Sequence, residues 1–95
     1  MGKGKVAAQV AHAAVLCYKA GLSSHSSCVR AWEREGETKV CLKVEGEEAL
    51  LSLAAQAREE GLIYAVVRDA GRTQVSCSFS YFLRKRWLNI ISLGF

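Results

Sequence analysis

The feature that most constrains the fold of this chain is a strand, a helix and a strand in succession over residues 38–67. Residues 38–44 alternate between apolar and polar side chains, which predicts a half-buried strand. A helix is predicted to start at Glu45-Gly46-Glu47-Glu48, with acids at its positive end, and to carry an apolar stripe until Gly61 closes it; residues 62–67 form an apolar run typical of a buried strand. Two strands joined through a helix run parallel in one sheet, so the pattern predicts an α/β fold. The residues predicted on the inner face of the first strand are Val40, Leu42 and Val44.

Two helices are predicted before this unit. Apolar residues recur every three or four positions over residues 5–20, and Gly21 follows where a helix cap belongs. A shorter helix is predicted over residues 26–34, with Val29 and Trp32 facing inward. The inward residues predicted for the first helix are Val6, Val10, Ala13, Ala14 and Cys17.

Residues 76–95 differ in composition from residues 1–75, and we predict a domain over 1–75 followed by a basic, aromatic tail. The tail carries three bases and no acid, and its large apolar residues fit one face of a helix. Three roles stay open for it: cover for the core, a disordered or aggregating segment, or an amphipathic helix on a membrane surface. The residues on the predicted helical face are Phe79, Phe82, Leu83, Trp87, Ile90 and Ile91.

Composition narrows the class of protein. With 95 residues, 51% of them hydrophobic, the chain has room for one packed domain. No apolar run reaches the roughly 20 residues of a membrane span, and the N-terminus lacks the pattern of a secretory signal or a myristoylation site. Four cysteines without metal-ligand spacing predict reduced thiols, no zinc, and a reducing compartment such as the cytosol. The net charge of +4 is compatible with an anionic partner.

One stretch that suits a ligand is Gly2-Lys3-Gly4-Lys5, which leads directly into the first helix. Helix N–H groups and two ammonium groups favour a phosphate there, and a flexible cationic terminus is the alternative. Gln9 and His12 share a face of that helix. Because no carboxylate is near His12 in the sequence, we interpret it as a packed side chain rather than a base, and His25 as solvated.

A second candidate site follows the buried strand, at the edge where ligands meet α/β sheets. The carboxylate of Asp69 is suited to orient or deprotonate a water. The Thr73 hydroxyl, four residues on, is suited to hydrogen-bond a reacting oxygen. The alternative is a turn in which Asp69 caps Ala70-Gly71 and pairs with Arg72.

In this order along the chain, these motifs resemble the archaeal and eukaryotic class of peptidyl-tRNA hydrolase, and the resemblance runs from Gly2 to about Val75. The stretches that carry it are Gly2-Lys3-Gly4-Lys5-Val6-Ala7-Ala8-Gln9, Ala11-His12-Ala13-Ala14, Trp32-Glu33, Gly36, Lys39-Val40 and Asp69-Ala70-Gly71-Arg72-Thr73-Gln74. The glycine–lysine stretch and the aspartate loop are specific when they occur together.

The resemblance implies a small mixed β-sheet with helices on both faces. It implies a hydrolase, without metal or other cofactor, that cleaves the ester between a peptide and the 3′ ribose of tRNA. Peptidyl-tRNA is then the partner, a homodimer stays an open alternative, and the cytoplasm or the mitochondrion is the location. The matching positions are Lys5, Asp69 and Thr73 as catalytic residues, Lys3 and Arg72 as tRNA contacts, and Gln9, His12 and Gln74 as supporting residues.

The two ends of the sequence depart from this family. Family members begin with a strand before the glycine–lysine turn and finish with a strand after a glycine- and proline-rich stretch. We therefore expect a shortened form, as an alternative exon or a shifted frame would produce, with the first and last family strands missing or replaced. The resemblance also implies an alternative function, a non-catalytic interaction protein with a mitochondrial, apoptosis-related role.

Overall fold

A computed structural model of the protein describes residues 2–69, 72–82 and 85–93, with the backbone alone at residues 72, 79–82, 85–87 and 93. The described residues form three helices and four strands. In chain order these are α1 (Lys3–Ser24), α2 (Ser26–Arg34), β1 (Lys39–Val44), α3 (Glu47–Glu59), β2 (Tyr64–Asp69), β3 (Arg72–Phe82) and β4 (Lys85–Leu93).

The four strands form one mixed sheet in the order β1-β4-β3-β2. β4 is parallel to β1 and antiparallel to β3, and β3 is antiparallel to β2. β1 and β2 therefore run in the same direction at opposite edges of the sheet. The α/β fold, the mixed sheet and the parallel direction predicted for the two strands are confirmed, although two further strands lie between them.

Helices cover both faces of the sheet. α1 and α2 pack on one face, where alternate residues of β3 and β4 join the core. α3 packs on the other face, against β2, β3 and β4. The core cluster on the α1 face comprises Ala13, Cys17, Val29, Trp32, Ile63, Val67, Val75, Cys77, Leu88 and Ile90.

The prediction of an amphipathic helix in the tail is wrong. Residues 72–82 and 85–93 form two antiparallel strands, and Leu83 and Arg84 lie outside the described residues. Val75 with Cys77, and Leu88 with Ile90, are buried at a spacing of two, which is the period of a strand. The tail thus covers the core with β4 and most of β3, the two central strands, which is one of its three predicted roles, and a membrane-surface helix is excluded for these residues. The division at residue 75 stays a prediction.

The predicted helix cap at Gly21 is also wrong, because α1 continues to Ser24. Gly21 is buried inside the helix, and a Cβ atom built there would lie 2.4 Å from Val29 Cγ2 and 3.2 Å from Ile63 Cδ1. A glycine at this position lets α1 approach α2 and the start of β2 closely. Tertiary packing, rather than helix termination, explains the residue.

The second helix forms over the predicted residues, Ser26–Arg34, and its predicted inward residues Val29 and Trp32 are buried. The inner face predicted for β1 is only partly correct, since Val40 and Val44 are half-buried but Leu42 is 46% exposed. α3 packs on the other three strands, which leaves this edge of the sheet less covered.

The polar loop predicted over residues 69–74 is shorter in the structure. Asp69 ends β2, Arg72 begins β3, and Ala70 and Gly71 lie outside the described residues. Within the described ranges, no helix combines the length and the apolar character that crossing a membrane requires.

Candidate active site

The N-terminus of α1 concentrates positive charge. The helix begins at Lys3, and its first internal hydrogen bond joins Val6 N–H to Gly2 O at 3.0 Å. The N–H groups of Lys3, Gly4 and Lys5 precede that bond and point along the positive end of the helix dipole. Two lysines and no acid occupy this turn, an arrangement that costs about 0.3–1 kcal/mol for each charge near the terminus. Local conflicts of this kind are typical of functional sites, and this one attracts anions.

Asp69 meets this helix terminus from the sheet. α1 runs opposite to β2, so its first turn reaches the carboxyl end of that strand, where the Lys5 Nζ atom pairs with Asp69 Oδ2. The two side chains are 53% and 40% exposed. Ion pairs this exposed contribute about 0–1 kcal/mol, so the contact adds little to folding. The same exposure leaves the carboxylate and the ammonium group accessible to water and to a substrate.

Thr73 lies at the same end of the sheet, near the start of β3. A register shift after Val67 pairs Thr73 with Arg68, whose side chain lines the α3 face. Asp69, the next residue on β2, therefore faces α1. Thr73 is 1% exposed, and its hydroxyl has no hydrogen-bond partner among the described atoms. The structure thus brings Lys5 and Asp69 into contact, and the buried Thr73 hydroxyl makes no described hydrogen bond with either.

Glu47 is a residue of this region that the sequence did not reveal. Its Oε2 atom accepts a hydrogen bond of 2.5 Å from Thr73 N–H, which links the start of α3 to the start of β3. Gly46, with a φ of +89°, lets the chain turn sharply from β1 into that helix. In the sequence, an acid such as Glu47 is expected at a helix N-terminus, where it favours the helix dipole. Nothing in the sequence indicates its contact with Thr73, which lies 26 residues later.

The other predicted site residues lie around this centre. Gln9 and His12 follow Lys5 on one face of α1, where Gln9 is half-buried and His12 is exposed. Gln74 is half-buried in β3. The Arg72 side chain, a predicted tRNA contact, lies outside the described part of the structure.

Lys3 is exposed and lines an apolar cleft of about 400 Å³ on the other side of α1. The remaining residues that line this cleft are Val6, Ala7, Val10 and Cys41.

The two core thiols do not suit nucleophilic chemistry. Cys17 and Cys77 are buried, and Cys77 Sγ donates to Ala13 O at 2.9 Å. A hydrogen bond with Cys77 and burial both raise the pKa of Cys17 far above its ordinary value, which keeps it a neutral thiol. All four cysteines are free, and no three His, Cys, Asp or Glu side chains group as metal ligands in the ranges that the structure describes.

Comparison with protein families gives a match over residues 1–82 to the family described as Peptidyl-tRNA hydrolase PTH2. Similar proteins carry related names. The chain is 49% identical over 76 residues to "Probable peptidyl-tRNA hydrolase 2" of Schizosaccharomyces pombe, which covers 80% of this chain and 37% of that protein. It is 46% identical to the human "Peptidyl-tRNA hydrolase 2, mitochondrial", over 80% of this chain and 42% of that protein.

An archaeal protein is similar over a larger share of its own length. The "Peptidyl-tRNA hydrolase" of Methanococcus maripaludis is 47% identical over 75 residues, which are 79% of this chain and 65% of that protein. The chain therefore spans less than two thirds of the length of these relatives.

Proposed function

Because the chain belongs to the peptidyl-tRNA hydrolase PTH2 family, we propose that it hydrolyses the ester between a peptide and the 3′ ribose of tRNA. The relatives from yeast and archaea carry that activity in their names. The observation that supports this most is the exposed pair of Lys5 and Asp69 at the N-terminus of α1. Ester hydrolysis needs a positioned base and a positive site for a developing oxyanion, and this pair offers both.

In this proposal Asp69 acts on the attacking water. A carboxylate accepts several hydrogen bonds, so Asp69 is able to hold a water while it also pairs with Lys5. The water oxygen adds to the carbonyl carbon of the ester, and its proton passes to Asp69. The bond to the 3′ oxygen then breaks as the proton passes on to that oxygen, which releases the peptide acid and the free tRNA. General-base catalysis of this kind supplies about 10²–10⁴-fold in rate.

Lys5 stabilises the tetrahedral intermediate in the same proposal. Its ammonium group stands beside the carboxylate, and the N–H groups of the first turn of α1 add partial positive charge. Gly4, in that turn, has open space where a Cβ atom would project, so the backbone is approachable. Charge that develops on the carbonyl oxygen is stabilised by donors that are already in place.

Thr73 we propose as a positioning residue. Its hydroxyl is buried and makes no described hydrogen bond with the pair that acts on the ester. Binding of a substrate polar group would satisfy this hydroxyl, and an unsatisfied buried hydroxyl costs about 1–3 kcal/mol.

Lys3 and Arg72 contact phosphates of the tRNA without reading its sequence. We propose the cytosol as the location or, after the name of the human relative, the mitochondrion.

The test is release of a labelled peptide from a defined peptidyl-tRNA. Asp69→Asn removes the base but keeps the shape, and we expect a loss of about 10²–10⁴-fold in kcat with unchanged stability. Thr73→Val should raise KM more than it lowers kcat, and Thr73→Ser should restore KM. His25→Ala, an exposed change at the far end of α1, is the matched control.

Release at the background rate by both the wild-type chain and Asp69→Asn would reject this function, whereas equal rates above background would reject the role of Asp69. A folded wild-type chain without activity would favour the alternative of a non-catalytic interaction protein, which otherwise stays a prediction.

A further inference from the structure

Strand β1 is an edge of the sheet, with β4 as its neighbour on one side and an open backbone on the other in the sheet that the structure describes. Leu88 N–H donates to Thr38 O at 2.9 Å, so the backbone groups of Thr38 point toward β4. These groups alternate in direction along a strand, so the odd-numbered residues in 39–43 present theirs to the open side. The edge is therefore able to accept one more strand.

The side chains of β1 leave an apolar surface beside this open edge. Val40, Leu42 and Val44 share one face of the strand, where Leu42 is exposed and the two valines are half-buried. β1 packs chiefly on β4, whereas α3 covers the other three strands. The surface continues into a groove of about 300 Å³ that Leu53 of α3 also lines. An open backbone edge next to an exposed apolar face is the surface of a strand-pairing interface.

The charges on the opposite face of β1 determine which strand is able to occupy the edge. Lys39 and Lys43 lie there, and Glu45 follows directly after the strand with its Oε1 atom 3.6 Å from Lys43 Nζ. Lysines on an edge strand normally oppose pairing, because they repel a neighbouring strand that carries the same charge. The occupant must therefore bring an acid opposite a lysine.

A second copy of this chain meets that condition. When two β1 strands pair antiparallel about a twofold axis normal to the sheet, each residue faces one on the same side of the sheet. An axis at Leu42 places Lys39 opposite Glu45 of the other copy, and it does so twice. The same register places Val40 opposite Val44 and the two Leu42 side chains opposite each other. Opposite charges and apolar groups are thus matched at the same time.

The neighbouring registers fail on charge. An axis at Cys41 places Lys39 opposite Lys43, and an axis at Lys43 places two lysines directly opposite each other. We propose that β1 pairs antiparallel with β1 of a second copy about Leu42, which joins the two four-stranded sheets into one. The occupant of this edge is then the chain itself.

The proposed dimer is reversible and independent of the proposed function. The paired strand has six residues, and contacts this small form complexes that exchange with the free chains. Asp69 lies on β2 at the other edge of the sheet, so pairing through β1 leaves its contact with Lys5 accessible. The experiments therefore measure association and use no peptidyl-tRNA.

Disulfide cross-linking of the full chain tests the register. In a Cys28→Ser, Cys41→Ser background the remaining native thiols are buried, and Leu42→Cys adds a thiol on the proposed axis. The facing Cα atoms would be about 4.5 Å apart there, which suits a disulfide. With diamide as oxidant, we expect a covalent dimer to form about tenfold faster than from Val15→Cys in the same background. Val15 on α1 is the matched control, since it is 49% exposed and Leu42 is 46% exposed.

Native Cys41 distinguishes the adjacent register. In a chain with Cys28→Ser alone, Cys41 faces Lys43 of the other copy, and we expect it to cross-link no faster than Val15→Cys. Equal rates for Leu42→Cys and Val15→Cys, or the fastest cross-linking at Cys41, would overturn the proposal.

Sedimentation equilibrium measures the dimer without a covalent bond. The wild-type chain should show a dimer fraction that rises with concentration. Leu42→Arg places two like charges on the axis and should raise the dissociation constant about tenfold or more. Leu51→Arg should leave it unchanged, because Leu51 is an exposed leucine on the flank of α3 that faces β2. A wild-type chain that is monomeric throughout, or equal losses in the two variants, would refute the proposal.

Charge reversal tests the pairing of Lys39 with Glu45. Lys39→Glu and Glu45→Lys each place like charges opposite each other, and each should weaken the dimer about tenfold. The chain that carries both changes exchanges the two charges and should regain the wild-type dissociation constant within about twofold. Circular dichroism checks that each variant is folded. A folded double variant that associates as weakly as the single variants would overturn the register.

Discussion

The two ends of α1 differ in every respect that matters for function. Its N-terminal turn is exposed, carries two lysines against the helix dipole, and makes its described ion pair with Asp69 at the surface. Near its C-terminal end, Cys17 and Gly21 are buried, and Gly21 is within van der Waals reach of Val29. One helix thus joins a region built for tight packing to a region built for access.

This difference indicates that the packed end of α1 determines the stability of the fold and that the open end determines the catalytic rate. The packed end contributes burial and close contacts, so substitutions there should change the free energy of unfolding and leave kcat per folded molecule unchanged. The open end contributes charge, so substitutions of its charged side chains should change kcat and leave the free energy of unfolding nearly unchanged. The following predictions test that division, beginning with the largest effect.

Cys17→Ala should lower the free energy of unfolding at pH 7 by about 1–3 kcal/mol, because it empties part of the core. A hydrogen bond with Cys77 and burial raise the pKa of Cys17 in the folded chain above the ordinary value of 9.0. Only the unfolded chain then ionises this thiol as the pH rises above about 9, so the wild-type stability falls there by up to about 1.4 kcal/mol per pH unit. The stabilising effect of Cys17 is therefore complete below pH 9 and decreases above it.

Urea denaturation of both proteins between pH 7 and pH 10.5 measures this effect. We expect the difference between the wild-type chain and Cys17→Ala to shrink above pH 9. A difference that stays constant over the whole range would contradict the burial of a neutral thiol at the packed end.

The same substitution at two glycines of α1 should have opposite effects. Gly21→Ala places a Cβ atom 2.4 Å from Val29 Cγ2, and we expect a net loss of about 1–2 kcal/mol after the gain in helix propensity. Gly4→Ala meets no atom within 4 Å and should gain up to about 1 kcal/mol. Urea denaturation compares the two, and a stabilised Gly21→Ala protein would show that the close approach of α1 and α2 is not required.

Glu47→Gln should have a smaller effect on stability, about 1 kcal/mol, because the hydrogen bond to Thr73 N–H loses its charge. Glu48→Gln is the matched control, since Glu48 lies in the same first turn of α3 and is exposed. Both variants lose a favourable interaction with the helix dipole, so the difference between them reports the hydrogen bond. Faster amide exchange at Thr73 in Glu47→Gln alone should accompany it, and equal losses in the two variants would contradict the contact.

Local periodicity and one topological rule were sufficient to predict much of the fold. α2 forms over the predicted residues, and the strands on either side of α3 run parallel, as a helical crossover requires. The sequence made Asp69 a candidate because it follows the carboxyl end of a strand, and the structure pairs it with Lys5 there. The catalytic roles of these residues stay predictions that the kinetic experiments test.

Long-range packing could not be predicted from local patterns. Buried residues two positions apart in β3 and β4 mark strands, but their spacing also fits a helix face, and the Leu-Arg pair between the strands gives no turn signal. In the sequence Gly21 has the position of a helix cap. In the folded chain it packs against Val29, eight residues later, and that contact is not visible in the local pattern. The bond from Thr73 to Glu47 depends on where a strand register shifts.

The central claim is that Lys5 and Asp69 act as one unit, and a double-mutant cycle on single-turnover peptide release tests it most directly. We expect Lys5→Met and Asp69→Asn each to lower the rate by about 10²–10⁴-fold. The double variant should be no slower than the slower single variant, because residues that act together are strongly non-additive. Losses that multiply in the double variant, or a wild-type rate in either single variant, would contradict the claim.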